Sequence, residues 1–317
     1  MKLAVPLRAS TACAALVSAL ALLSVFAPRA LATDPGHNGL ITFGADTGSG
    51  SQLYTVRPNG HELRRITDLA GDAVHPDWSP DGRMIVFELD HPDGQPFCSI
   101  ELMNADGSAV ADLTGARNGC EAQPSFTPDG RSIVFERYDD VTNVDAIWSM
   151  DLAGGNRRQI TTGSGGATDP NVSPDGETLS FVDFNGADLG QALATTRLDG
   201  TGLFDLTPFT FDVAVKHDWA PNGRRLVFTD NADDQTKPAN IATIRPDGTG
   251  LRYLTDLRTP QERAYAGGYS PNGRWIVFRL EDHGRYGLYR MHTDGGARHG
   301  ILPLSSFRPR FIDWGPR

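Results

Sequence analysis

The chain has 317 residues and a formal net charge of −10. Its first 32 residues hold Lys2, Arg8 and Arg29 and no acid, so the remaining residues, about 285, carry −13 and suffice for one domain with a large core. A balance of this sign excludes nucleic acid and anionic membrane as partners, because both demand a basic face.

Residues 1–32 read as an export leader. Lys2 and Arg8 form a positive start, Ala12 to Ala27 is apolar, and Ala30-Leu31-Ala32 fits a small-x-small cleavage site. The mature domain is therefore expected over residues 33–317, secreted or periplasmic. The alternative is an uncleaved anchor, but the apolar run is shorter than the roughly 20 residues a bilayer needs. No later segment is apolar enough to span a membrane.

Beyond the leader the chain repeats. His75-Pro-Asp-Trp-Ser-Pro-Asp-Gly-Arg-Met-Ile-Val-Phe87 reads as strand, tight turn, strand. Pro fixes φ early in the turn, Asp bonds its own backbone, and Gly supplies a positive φ. The unit returns around Phe126, Val172, Trp219 and Tyr269, and a truncated copy ends at Trp314, at intervals of 45 to 50 residues. Each repeat continues with an apolar run, an Asn-Gly, Asp-Gly or Gly-Gly turn and a short second strand, as in Ile100 to Met103, Asp106-Gly107 and Leu113-Thr114. Four strands per period of this length predict a β-propeller with one blade per repeat. The N-terminal copy, starting at Leu40–Phe43, lacks an innermost strand, and the C-terminal copy, Phe311 to Trp314, is an innermost strand with nothing after it. Joined, they give six blades in a closed ring with no open edge at the seam.

Two cysteines remain in the mature domain, Cys98 and Cys120. An even pair in an exported protein predicts one disulfide, and no further ligands at close spacing accompany them to suggest zinc.

The motif Trp-Ser-Pro-Asp-Gly-Arg-x-Ile-x-Phe, followed by an apolar strand, Asp-Gly and Leu-Thr, resembles the WD-like repeat of TolB-type six-bladed propellers. The resemblance covers essentially residues 39–317 and implies the fold. It implies less about function, because the repeat residues are structural and the superfamily hosts many activities. The TolB family also implies an α/β domain before the propeller, whereas here the repeats begin a few residues after the expected cleavage site.

Strand direction puts the short turns, with Arg83, Arg131, Arg224, Arg225 and Arg274, on one face. The long loops lie on the other, where function is expected. Those loops carry acids, among them Asp46, Asp90, Asp93, Asp139, Asp140, Asp145, Asp183, Asp188, Asp230, Asp233 and Glu281. They form either a negative funnel for a basic or cationic partner or an ordinary solvated surface. Three residues before each core aromatic, or its Val172 equivalent, the aligned repeats place His75, Gln123, Asp169, Lys216, Ala266 and Phe311, with His217 and Arg310 adjacent. These positions enter the innermost strands from the long-loop face. His75, Gln123, Asp169, Lys216, His217 and Arg310 are thus expected at the channel mouth as a ligand- or partner-binding ring for a polar ligand, a peptide carboxylate or a metal, or else as the lining of a hydrated axis. No Gly-x-Ser-x-Gly elbow or His-Glu-x-x-His motif occurs.

The favoured expectation is a non-enzymatic binding propeller, monomeric, with no cofactor and no metal. A metal-dependent lyase or hydrolase on carbohydrate or lactone, with His75 and His217 as ligands, is the alternative. A purely structural interaction protein is the third.

Overall fold

Each predicted turn is closed by its own side chains. Ser79 Oγ donates to Asp81 Oδ1 at 2.7 Å and accepts from the Met84 N–H at 2.9 Å, while Gly82 sits at φ +68°. Ser173 with Asp175 and Ser270 with Asn272 repeat the arrangement. These turns link the two inner strands of each blade. The computed structural model describes residues 36–317 apart from 47, 49, 93–97, 116–118, 140–142, 164, 187–189 and 233. The leader expected over residues 1–32 lies outside them, as do Asp93, Asp140, Asp188 and Asp233.

Among the described residues, twenty-four strands form six four-stranded antiparallel sheets. The first blade is closed by both termini. It contains β1 (Asn38–Asp46), β2 (Ser51–Val56) and β3 (Arg64–Arg65), and its innermost strand is β24 (Arg310–Pro316). Ile41 pairs with Trp314 and Thr42 with Asp313, the closure the repeat phase predicts. Blade two runs from β4 (Asp72–Trp78) and β5 (Met84–Asp90) to β6 (Cys98–Asn104) and β7 (Ala111–Asp112). Blade three is β8 (Glu121–Phe126), β9 (Ser132–Asp139), β10 (Val144–Asp151) and β11 (Arg158–Gln159). Blade four is β12 (Ala167–Val172), β13 (Thr178–Phe184), β14 (Gln191–Arg197) and β15 (Phe204–Asp205). Blade five is β16 (Asp218–Trp219), β17 (Leu226–Asp230), β18 (Asn240–Ile244) and β19 (Arg252–Tyr253). Blade six is β20 (Glu262–Tyr269), β21 (Trp275–Asp282), β22 (Arg285–His292) and β23 (His299–Ser305).

The core lies between blades. Ile41, Phe43 and Trp314 of blade one pack with Val277 and Leu288 of blade six, and the other interfaces repeat the pattern. The Leu-Thr signature has a defined job: the hydroxyls of Thr67, Thr161, Thr207 and Thr255 accept the amide protons of Leu53, Ile147, Leu193 and Ile241 at 2.8 to 2.9 Å. A short outer strand is thereby fixed to its neighbour by a bond the backbone ladder alone does not supply. Cys98 and Cys120 are bonded, with Cα atoms 4.8 Å apart, and tie β6 of blade two to the entry of β8 in blade three. No helix among the described residues is long and apolar enough to cross a membrane.

The channel mouth as candidate binding site

The innermost strands do not run straight into the channel. Ladder register shifts between Val74 and Asp77, Ala122 and Ser125, and Thr168 and Asn171. At these bulges His75, Gln123 and Asp169 take φ values of +46°, +48° and +51°, and Phe311 takes +51° in β24. A β-bulge re-aims the side chain it carries. Here it also turns the backbone amides toward the neighbouring blade.

The amides of Gln123 and Asp169, and that of His217, are bonded from blade to blade. Glu88 Oε2 accepts the Gln123 N–H at 3.0 Å, Gln123 Oε1 accepts the Asp169 N–H at 2.6 Å, and Asp169 Oδ2 accepts the His217 N–H at 3.1 Å. Gln123 and Asp169 therefore tie neighbouring blades together. His217 is fully buried, with Nδ1 2.9 Å from Asp169 Oδ2 and Nε2 2.7 Å from Ser180 Oγ. It supports Asp169 from beneath and does not face open space. Burial pushes the Asp169 carboxyl up, but His217, Lys216 and His75 together hold it below the usual carboxylate range.

His75 is 9% exposed, and its ring stacks on Phe311 with centroids 3.6 Å apart. Burial lowers its pKa to about 3, with Lys216 and Arg310 reinforcing and Asp169 opposing, so the imidazole is neutral at physiological pH. Arg310 is exposed, its guanidinium carbon 4.8 Å from the Phe311 ring centroid. Lys216 is half-buried at the boundary between mouth and channel. Burial disfavours its charge, yet Asp313, Asp77, Asp169 and Asp218 around it outweigh that and raise its pKa.

Three of those four aspartates escape the sequence reading. Asp77, Asp218 and Asp313 each stand one residue before a core aromatic. Their carboxylates accept the backbone N–H of the aromatic in the next blade: Phe126 at 2.8 Å, Tyr269 at 2.6 Å and Trp78 at 2.9 Å. The signal was present as Asp-Trp in three repeats. Burial, then repulsion by Asp313, pushes Asp77 well above the usual range, and Asp218 is pushed to about 7 chiefly by burial. They line a cavity of only ≈ 30 Å³ at the short-turn end of the axis.

A second missed column is the residue after the core Phe of each second strand: Gly44, Glu88, Glu136, Val182, Thr229 and Arg279. It makes the mouth two-sided. On blades two and three, Glu88 with Asp90 and Glu136 with Asp145 form carboxyl pairs. Burial first, and then their acidic neighbours, push Glu88 and Glu136 well above the usual range. Across the axis, Arg279, Arg308 and Arg310 line a cavity of ≈ 240 Å³ between blades five, six and one. Among the described residues one group brings three potential metal-ligand atoms together, Glu88, Asp90 and Cys98, and the Cys98 sulfur is already bonded to Cys120.

The closed ring, the repeat turns and the axial column define a six-bladed propeller of the TolB type. The sequence model of the TolB β-propeller domain matches residues 114–317, and the chain belongs to that family. TolB from Acinetobacter baumannii superposes with a TM-score of 0.74 at 21% identity, over 88% of this chain and 67% of that one. An oligogalacturonate lyase in complex with manganese superposes at 0.57 and 16% identity, over 86% and 76%. At these identities the likeness shows the fold alone. The Tol-Pal system protein TolB of Nitratidesulfovibrio vulgaris is 54% identical over 35 residues, 11% of this chain and 8% of that one. The chain spans less than half the length of the curated relatives it matches.

Proposed function

We propose that this is an exported binding propeller, without chemistry of its own, that takes a ligand or a protein partner at the long-loop mouth. The observation that carries the reading is the contrast between the two ends of the axis. The mouth opens into ≈ 240 Å³ among charged side chains, whereas the short-turn end leaves ≈ 30 Å³ among aspartates already committed to neighbouring blades. Clefts with a few convergent polar groups on a rigid scaffold are where ligands bind. Export is supported by the leader-like residues 1–32 and by the disulfide, which persists in oxidising compartments.

A photo-crosslinker placed at Gln235, on the mouth cavity, should give adducts in the native cells. One placed at Arg131, on the short turns, should not. Adducts from Arg131 alone would overturn the reading. The rival is a metal-dependent enzyme at the same mouth, favoured by the neutral His75 and by the fold shared with the manganese-bound lyase. Under that rival, manganese added to the purified chain raises its melting temperature and His75→Ala abolishes the rise; under the binding reading neither occurs.

A further inference from the structure

The basic sector of the mouth holds two arginines that pair with no carboxylate among the described residues. Arg279 is 6% exposed on β21, and its Nε makes no hydrogen bond. Its Nη1 reaches only the Pro309 carbonyl, at 3.4 Å, and its guanidinium carbon lies 4.0 Å from the Tyr265 ring centroid. Arg308 Nε is likewise buried and unbonded. Among the described residues neither arginine has a carboxylate within ion-pair distance. Lys216 and Arg310 do not belong with them, because aspartates already favour the charge of each: Asp313, Asp77, Asp169 and Asp218 around Lys216, and Asp72, Asp90 and Asp46 around Arg310.

A guanidinium held out of water without an anion is costly, and two side by side are worse. Burial and the adjacent Arg308 bring Arg279 down to about 10, and Glu281, which favours the charged form, acts more weakly than Arg308. The cavity between these cations has an apolar wall that includes Val215, Tyr265 and Phe311.

Resting on the mouth reading above, we propose that this sector binds the carboxylate of an organic anion whose apolar body lies against Val215, Tyr265 and Phe311. A carboxylate accepts two parallel bonds from a guanidinium fork, and Arg279 has its Nε edge free for one of them. Inorganic phosphate could satisfy the arginines but would leave the apolar wall wet. The carboxylate belongs either to a small acid or to the C-terminus of a polypeptide.

The test is NMR titration of the purified mature chain with benzoate, inorganic phosphate, and the tripeptide Ala-Ala-Phe with a free or amidated C-terminus. Benzoate should shift the amides of Val215, Ala266 and Ile312 saturably, with Kd near or below about 1 mM, as expected for so small a ligand. Arg279→Gln and Arg308→Gln should each weaken it roughly tenfold or more, the loss of one charge-assisted contact. Arg131→Gln, on the far face, should leave it unchanged. Should Arg279→Gln fail to fold, the half-buried Arg308 variant still decides. Tighter binding of the free tripeptide, with none of the amidated form, would identify a chain end. Tighter binding of benzoate would identify a small acid. No saturable shift, an affinity indifferent to both substitutions, or phosphate binding as tightly as benzoate would each overturn the proposal. Adducts at Gln235 without benzoate binding would remove this inference and leave the mouth reading standing. Benzoate binding with adducts only at Arg131 would do the reverse.

Discussion

The His75 ring lies between Phe311 and the charges of Asp169, Lys216 and Arg310, almost closed off from water. Its pKa falls from the ordinary 6.5 to about 3 mainly because burial penalises the cation. Between those values the folded chain binds fewer protons than the unfolded one, so this residue's contribution to stability falls as pH falls from 6.5 toward 3. One pKa unit is about 1.4 kcal/mol, so the effect is at most about 5 kcal/mol. Asp218 works in the opposite sense: with its pKa raised to about 7, it costs stability as pH rises from the ordinary carboxylate range toward 7. His75→Gln should therefore flatten the acid limb of the urea-unfolding profile between pH 6.5 and 4 while leaving the Asp218 limb. Parallel profiles for variant and parent would show that His75 is not the group being charged.

Cys98 opens β6 and Cys120 precedes β8, so their bond reinforces a backbone bridge between two neighbouring blades. Closing a loop of 22 residues is expected to supply about 3 kcal/mol by restricting the unfolded chain. Cys98→Ser with Cys120→Ser should lower stability by about that amount, and the unfolded, unreduced parent should show no free thiol. Two titratable thiols, or a double variant as stable as the parent, would contradict this. The pairing was legible because an even cysteine pair fell on adjacent loops. The column at His75, Gln123, Asp169 and Phe311 was legible as a set of equivalent positions. Its positive φ was not, because no Gly or Asn marks it, and at Gln123 and Asp169 the bulged amide is bonded by a side chain of the preceding blade that lies 35 or 46 residues away in sequence. His217, which the sequence places beside Lys216 at the mouth, is instead fully buried, its N–H donated to Asp169 Oδ2. Arg279 stood in a repeat column of its own, after Phe278. Arg308 lies in a crossover without repeat register, so no alignment of blades could have found it.

At the scale of the whole ring, stability rests on a single seam. Blade one borrows β24 from the far end of the chain, and that strand brings more than a ladder. Trp314 is 2% exposed and packs with Ile41, Val277 and Leu288, while Asp313 accepts the Trp78 N–H of blade two at 2.9 Å. One strand thus joins blades six, one and two. Trp314→Ala alone should cost about 3–5 kcal/mol, the usual range for emptying a large aromatic site. Deleting residues 311–317 removes that packing, leaves the buried amide of Trp78 without its acceptor, and strips β1 of its inner partner, so the loss should exceed the point variant's. It should also broaden the transition, because an open ring no longer requires its six blades to unfold together. Thermal unfolding of parent, Trp314→Ala and the truncated chain, followed by far-UV circular dichroism, gives the ranking directly. A truncated chain that melts as high and as sharply as the parent would mean that the seam between β1 and β24 does not hold the ring.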